Sequence, residues 1–432
     1  MRTDYLKRSR KYGWAVLALA VLGFLGRSGQ IDLAGLRLGG AGLQAAAADS
    51  DDKGDRKDER AIRHPDYFLS ARPENVVWGG FPIGAPPVLT ISSGQTVRID
   101  TISQSGATNA TLNPVDYFGQ FGVQPREVLR DVSDFWTSRP TRPQYGPHIL
   151  TGPVYVAGAE PGDMLEVQIL DLNPRVSYGL NNTSPTGGVL GPNYPGFRTG
   201  DPGLDIPPAP PGAPAGLFPG VRQHLYRIAK VKGREVALFS DDIHVPLHPF
   251  MGVMAVASPN GVFVVSSPTA PPPPLGVQGS GPPGPFGGNM DLHDLTIGAT
   301  LYLPVFQPGA LFYTGDSHLA QGDGEVSGTA IEHSLSGVFR FIVHKGKTIQ
   351  WPRAEDDTHY MLMGIDHDLD RAMRLATLEV VKFLVEEKGM TAAKAFSLAS
   401  IAVDFHAAEV VDGTQLIVGK IPKDVFLKKK KK

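Results

Sequence analysis

Two hydrophobic periods divide the chain. From Asn75 to about Ile169 the apolar residues come in short β-branched runs separated by turn signals. Pro87–Ile91 and Thr96–Ile99 flank a Ser-Ser-Gly turn, and Gly152–Val156 leads through Glu160–Pro161–Gly162–Asp163 into Leu165–Ile169. In that last run Leu165, Val167 and Ile169 alternate with polar neighbours, the period of a half-buried strand. Further strands are predicted at Val253–Ala257, Val262–Val265, Thr300–Val305, Ala310–Thr314, Gly324–Thr329 and Val338–His344. After Leu369 the period changes. Leu369, Ala372, Met373, Ala376, Val380, Phe383 and Leu384 recur at three and four positions and form one helix face. Gly389 ends that helix, and Thr391 caps a second one running to about Ala402. Leu416–Val418 returns to strand. The pattern predicts a β-rich α+β fold.

Between the periodic segments lie two Pro- and Gly-rich excursions, 173–220 and 268–287, the latter carrying Pro271–Pro274 in an extended polyproline form. They divide the main domain, 75–427, into an N-terminal β part (75–172), a loop-rich middle (173–287) and a C-terminal part (288–427). Residues 49–74 open with the charge-alternating run DSDDKGDRKDER and read as a charged linker. Ahead of it, Arg2, Lys7, Arg8, Arg10 and Lys11 precede the apolar run Trp14–Leu25, which is short for a bilayer span. With the small residues Ala45–Ala48, this is the layout of a cleaved export signal over 1–48, and it predicts a periplasmic protein with no stable membrane association after processing. An uncleaved N-terminal anchor is the alternative. Lys428–Lys432 is a solvated basic tail.

Composition narrows the chemistry. The net charge of −2 excludes a strongly basic nucleic-acid binder. Residues 1–48 hold seven basic and two acidic side chains, so without them the charge is −7. There is no cysteine, which removes disulfides, thiolate nucleophiles and Cys-ligated zinc. No G-x-S-x-G elbow, P-loop or dinucleotide fingerprint is present. Hydrolytic chemistry would have to run on oxygen and imidazole groups.

The densest polar run is GDSHLAQGDGEV at 315–326. If extended, Asp316 and His318 point to one face, and Asp323 and Glu325 share a face across the Gly322 turn. Such a hairpin offers carboxylate and imidazole ligands for zinc, manganese or calcium. A solvated polar turn is the other reading. GNMDLHD at 288–294 aligns Asn289, Asp291 and His293 as either a site row or a loop-ordering network. His148 enters an apolar strand, where a satisfied core histidine is the plainer reading. Arg353, Glu355 and His359 gather before the helices, with an Arg353–Glu355 pair as the structural alternative. For His244 and His248, a metal role is not favoured.

Several stretches resemble the acetamidase/formamidase family: PPVLTISSGQTVRIDT at 86–101, PHILTGPVYVAGAEPGDMLEVQILDL at 147–172, HPFMGVMAVASP at 248–259, the long block at 286–332 that contains GDSHLAQGDGEV, and WPRAEDDTHYMLMG at 351–364. The resemblance implies mixed and antiparallel sheets in a sandwich-like core, with the C-terminal helical pair packed on it, in a homo-oligomer. It implies hydrolysis of short linear carboxamides, formamide or acetamide, to ammonia and carboxylate. A divalent metal, zinc ahead of calcium or manganese, is implied with it. Asp316, His318, Glu325, Asp291 and His148 become the metal set, Asp323 the catalytic base with Glu325 as runner-up (ligand or base), and Asn289, Glu355 and His359 the substrate contacts. Val77 stands before Trp78–Gly79, where such proteins often carry histidine. An exported protein that binds a small ligand or metal without turnover is the alternative function.

Overall fold

The apolar runs become the centres of two large sheets that share one core. The computed structural model describes residues 58–139, 143, 145–184, 187–190, 222–260, 264 and 272–427. A nine-stranded sheet has Leu335–His344 and Met164–Pro174 near its middle, paired antiparallel, with Thr96–Asp100 on one flank and Thr300–Pro304 on the other. Its far edge runs through Arg353–Glu355, His359–Asp366 and Gln415–Pro422 to Asp404–Glu409. A twelve-stranded sheet is built around Phe312–His318, which pairs with Phe250–Ala255 on one edge and with Ile149–Ala157 and Glu332–His333 on the other. Parallel pairs, such as Leu89–Ser92 with Val154–Ala157, make the sheets mixed.

Phe312 of the second sheet meets Phe341 of the first edge to face, ring centroids 5.1 Å apart, inside a cluster that includes Val97, Leu165, Val167 and Phe339. Burying such side chains contributes about 1.5–3 kcal/mol each. This core makes the Phe312–His318 strand a rigid support for the polar residues at its end. The Leu369–Glu386 helix packs its Ala372, Ala376, Val380 and Leu384 stripe on the first sheet. Asp368 caps its start, Gly389 (φ +67°) closes it, and Thr391 caps the Ala392–Ala402 helix that follows. The β-rich fold with two C-terminal helices is as the sequence predicts.

Some local expectations change. Residues 324–329 do not form a strand, because Gly324, Glu325 and Gly328 all have positive φ and break the extended run. Tyr178–Thr183, expected within a loop, is a strand paired with Arg222–Val231. The linker is ordered from residue 58 onward: residues 58–63 are helical, and Tyr67–Leu69 runs parallel to Val97–Ile99. Asp66 Oδ2 fastens that edge by accepting from the Thr96 amide at 2.7 Å. The export signal with its Ala45–Ala48 site, the linker before residue 58, the Lys428–Lys432 tail, most of the first excursion, residues 268–271 of the second and all of the Val262–Val265 strand except Val264 lie outside the described residues. Among the described residues no helix is long and apolar enough to cross a membrane.

Candidate metal and amidase site

Alternation along Phe312–His318 does what the sequence suggests. Asp316 and His318 project to one side, while Ser317 turns away to the carbonyl of His333 at 2.7 Å. Neighbouring elements complete the ring around them. His148, at the head of the Ile149–Ala157 strand, brings Nε2 to 3.5 Å from Asp316 Oδ2. His318 Nε2 lies 3.4 Å from the same oxygen and 3.3 Å from Glu332 Oε1. Gln104 ties the two acids together, its amide nitrogen donating to Asp316 Oδ1 at 2.8 Å and to Glu332 Oε2 at 2.7 Å. All four of the ring's ionisable side chains are buried.

Both imidazoles have their tautomer set from behind. His148 Nδ1 is 2.8 Å from the carbonyl of Ser280, which can only accept, so that nitrogen carries the hydrogen. Gln321 gives its amide hydrogens to the carbonyls of Asp291 and Ala408, which turns its oxygen toward His318 Nδ1 at 3.0 Å. That nitrogen is therefore also a donor. In the neutral rings the two Nε2 lone pairs both face Asp316, and His318 Nε2 has no hydrogen-bond partner among the described residues. Two lone pairs aimed at carboxylate oxygens repel unless a cation or a proton lies between them.

A second layer of acids surrounds this ring. Asp291, Glu325 and Glu409 are buried, with Asp412 at the edge. Asp291 shares a hydrogen bond with Asp412, which also accepts from Asn289 Nδ2 at 2.6 Å. Burial raises the carboxyl pKa of Glu332, and burial with neighbouring acids raises those of Asp291, Glu325 and Glu409 well above the ordinary range. Asp412 is pushed up, mainly by burial, to about 6. Asp316 alone moves down, because the imidazoles of His148 and His318 outweigh its burial. For His318, burial works against the charged ring, but Glu332 and Asp316 outweigh it and raise the pKa well above 6.5. Six carboxyl groups thus converge on two imidazoles; ionised together they would carry an excess of negative charge, which either their own protonation or a divalent cation would relieve.

Backbone geometry sets the site apart as well. Asp291 (φ +41°), Asp316 (φ +47°) and Glu325 (φ +45°) all adopt the left-handed conformation that favours glycine. Such positions cost on the order of 1–3 kcal/mol each and cluster at functional sites. Gly252 lies beside them, and a Cβ there would press on Asp291 Oδ1 and stand 2.9 Å from Asp316 Oδ2.

Asp323 takes a different position from the one its spacing suggests. Gly324 and Glu325 turn the chain, so Glu325 points inward while Asp323 faces a cleft of about 760 Å³. There Asp323 Oδ1 is 2.9 Å from His293 Nε2, and Oδ2 is 3.1 Å from His406 Nδ1. The hydrogen bond to His293 holds the Asp323 pKa below its usual value. Glu325 lines the same cleft and also belongs to the buried cluster.

Glu355 and His359 lie on the nine-stranded sheet, apart from this constellation. Glu355 accepts from Tyr302 and pairs with Lys423 at 2.7 Å, while the His359 amide binds Asp356. Arg353 pairs with Glu379 and Glu386 rather than with Glu355.

The model of the Acetamidase/Formamidase family matches residues 143–200 and 278–428. Over these stretches, 209 of the 432 residues, the chain is similar to the acetamidase/formamidase family. It is 30% identical to the acetamidase of Mycolicibacterium smegmatis over 207 residues, 42% of this chain and 49% of that one. With the formamidase of Methylophilus methylotrophus it shares 29% identity over 203 residues, 42% of this chain and 47% of that one. The chain thus spans about half the length of these curated relatives. The crystal structure of an acetamidase from Bacillus halodurans superposes with a TM-score of 0.61 at 26% identity, covering 83% of this chain and 98% of that one.

The family match encloses His148, Asp291, Asp316, His318, Glu325, Glu332, Glu409 and Asp412, but Gln104 and Gly252 fall outside both matched stretches. Gln104, Glu332, Glu409, Asp412 and the linking role of Gln321 escaped the motif reading. Only Gln321 had a local signal, its place three residues after His318. The others come from segments that spacing cannot connect.

Proposed function

We propose that the protein hydrolyses short linear carboxamides to a carboxylate and ammonia with a divalent cation, zinc first among the candidates. The convergence of His148 Nε2 and His318 Nε2 on the buried carboxylates of Asp316 and Glu332 carries this reading. His148, His318, Asp316 and Glu332 would hold the cation, a nitrogen and oxygen donor set that suits zinc better than calcium. Once bound, the cation supplies a Lewis acid that polarises the amide carbonyl and acidifies water.

The chain's own residues do the rest. Glu325 reaches both the cleft and the buried cluster, which places its carboxylate to take a proton from water. Water adds to the carbonyl carbon, the carbon–nitrogen bond breaks, and Glu325 passes the water's proton to the departing nitrogen. Gln104 and Gln321 keep the acids and the His318 ring in place throughout. His318 Nδ1 is a donor toward Gln321, so Asp291, 3.7 Å from that atom, faces an N–H and stays outside the ligand set. The basic and apolar N-terminal sequence supports action after export.

Metal content and ammonia release, measured together on purified protein, test the proposal. One equivalent of zinc with turnover of formamide or acetamide is expected. A zinc-loaded protein that releases no ammonia from any amide would overturn the hydrolytic reading.

A further inference from the structure

Acetamide has only a methyl group to bury, yet the cleft in front of Glu325 measures about 760 Å³. Clefts of about 300–1,000 Å³ hold drug-sized ligands. Its lining is mixed. His248, His293 and Asp294 with the Asp323 carboxylate are its charged and imidazole groups. The apolar part of the wall comes from Tyr226, Phe239, Val245, Val326 and Ile331.

Tyr226 and Phe239 stack with ring centroids 5.2 Å apart and planes 20° from parallel. Phe239 remains 51% exposed and Val326 62% exposed. Val326 directly follows Glu325, so the apolar wall begins one residue from the proposed base. Exposed apolar side chains lining a cleft beside a reactive group are an arrangement suited to binding a substrate's apolar body.

Resting on the amidase reading, we infer that the preferred substrates are amides bearing an aromatic or similarly bulky apolar substituent, which lies on the Tyr226–Phe239–Val326 wall while the amide group meets Glu325. Binding energy from the ring then lowers the barrier at the reacting carbon, as remote contacts do. The shared chemistry is an aryl group near an amide. It can sit on the acyl side or on the nitrogen side, and the test separates the two.

The full chain loaded with zinc is assayed on acetamide, phenylacetamide and N-benzylacetamide, with ammonia or amine release and the binding of each compound by calorimetry. One ring-bearing amide should exceed acetamide in kcat/KM by about tenfold or more, which assigns the side the ring occupies. Phe239→Ser and, separately, Val326→Ser should each lower that ratio by about tenfold. Both side chains are exposed, so the variants are expected to fold. Equal kcat/KM values for all three amides, or a ratio unmoved by both substitutions, would overturn the inference. So would an oligomer that dissociates in Phe239→Ser while the ratio stays fixed, since the wall would then belong to a subunit contact. If no amide is hydrolysed, the amidase reading fails on its own. In that case tighter binding of a ring-bearing amide, lost in Phe239→Ser, still supports the apolar wall as its site, and equal binding of all three removes it.

Discussion

Gln321 Oε1 stands 3.0 Å from His318 Nδ1, and the same side chain is pinned by the carbonyls of Asp291 and Ala408. One amide therefore decides which nitrogen of a buried imidazole carries its hydrogen. The carbonyls belong to two different segments, so the ring's protonation depends on how those segments pack together. Partners of this kind behind a metal ligand are worth about 10–100-fold in metal affinity. We predict a loss of that size in Gln321→Leu, measured by chelator competition on protein whose circular dichroism is unchanged. Wild-type affinity in the variant would show that His318 keeps its tautomer without Gln321.

Gly252 gives a second, steric test. Its missing side chain leaves room for Asp291 and Asp316, and a methyl group there would push on the Asp291 carboxylate and on the backbone carbonyl and carboxylate of Asp316 rather than on the hydrophobic core. Gly252→Ala should lower zinc affinity by about tenfold or more while costing fold stability about 1–3 kcal/mol, the usual range for overpacking. Zinc titration and thermal melting of the metal-free protein separate the two effects. A variant that melts early but binds zinc normally would show that the strain is absorbed elsewhere.

Glu325 is placed to move a proton and lies beside a buried imidazole. Glu325→Gln should keep stoichiometric zinc and lose turnover by on the order of 10²-fold or more, the usual scale for losing a general base. If the metal leaves instead, Glu325 is a ligand. Full kcat in the variant would return Asp323 to consideration as the base.

The clasp of Asp323 between His293 and His406 should show in pH dependence. The hydrogen bond to Asp323, working against burial, raises the His293 pKa above 6.5. A raised imidazole pKa means the folded state holds its proton more tightly. The resulting stabilisation is complete below pH 6.5 and fades as pH rises through the raised value. Asp323 has the opposite sense: its lowered pKa contributes stability above pH 3.8 that fades as pH falls through the lower folded value. We expect Asp323→Asn to bring the His293 pKa down, followed by NMR of the imidazole protons, and to flatten the fall of Tm on the alkaline side. An unshifted His293 titration would mean that the 2.9 Å contact does not persist in solution.

The strand and helix periods were legible because each depends on neighbours within a few residues. Leu165, Val167 and Ile169 are buried as their alternation implied, and Gly389 and Thr391 mark the helix boundaries. Asp316 and His318 were legible for the same reason, since both remain on an extended strand. Asp323 and Glu325 do not share an extended strand as expected, because positive φ at Gly324 and Glu325 turns the chain between them. Glu332 and Gln104 lie 228 positions apart, and Glu409 reaches the cluster from the edge of the other sheet. No local pattern marks a carboxylate whose partners arrive from so far away.

That edge carries a consequence for how the protein fails. Gly324 takes the carbonyl of Ala408 and gives its own to Val410, so the turn bearing Glu325 is stitched to the last strand of the nine-stranded sheet. The Leu369–Glu386 helix, packed on Gln415–Pro422, braces that strand through its neighbour in the sheet. Heat, or a protease that loosens the carboxyl-terminal helices, would release the turn before the central strands open. Inactivation would then precede unfolding, and a sample that had lost its chemistry would still look native to any probe of its β-sheet content.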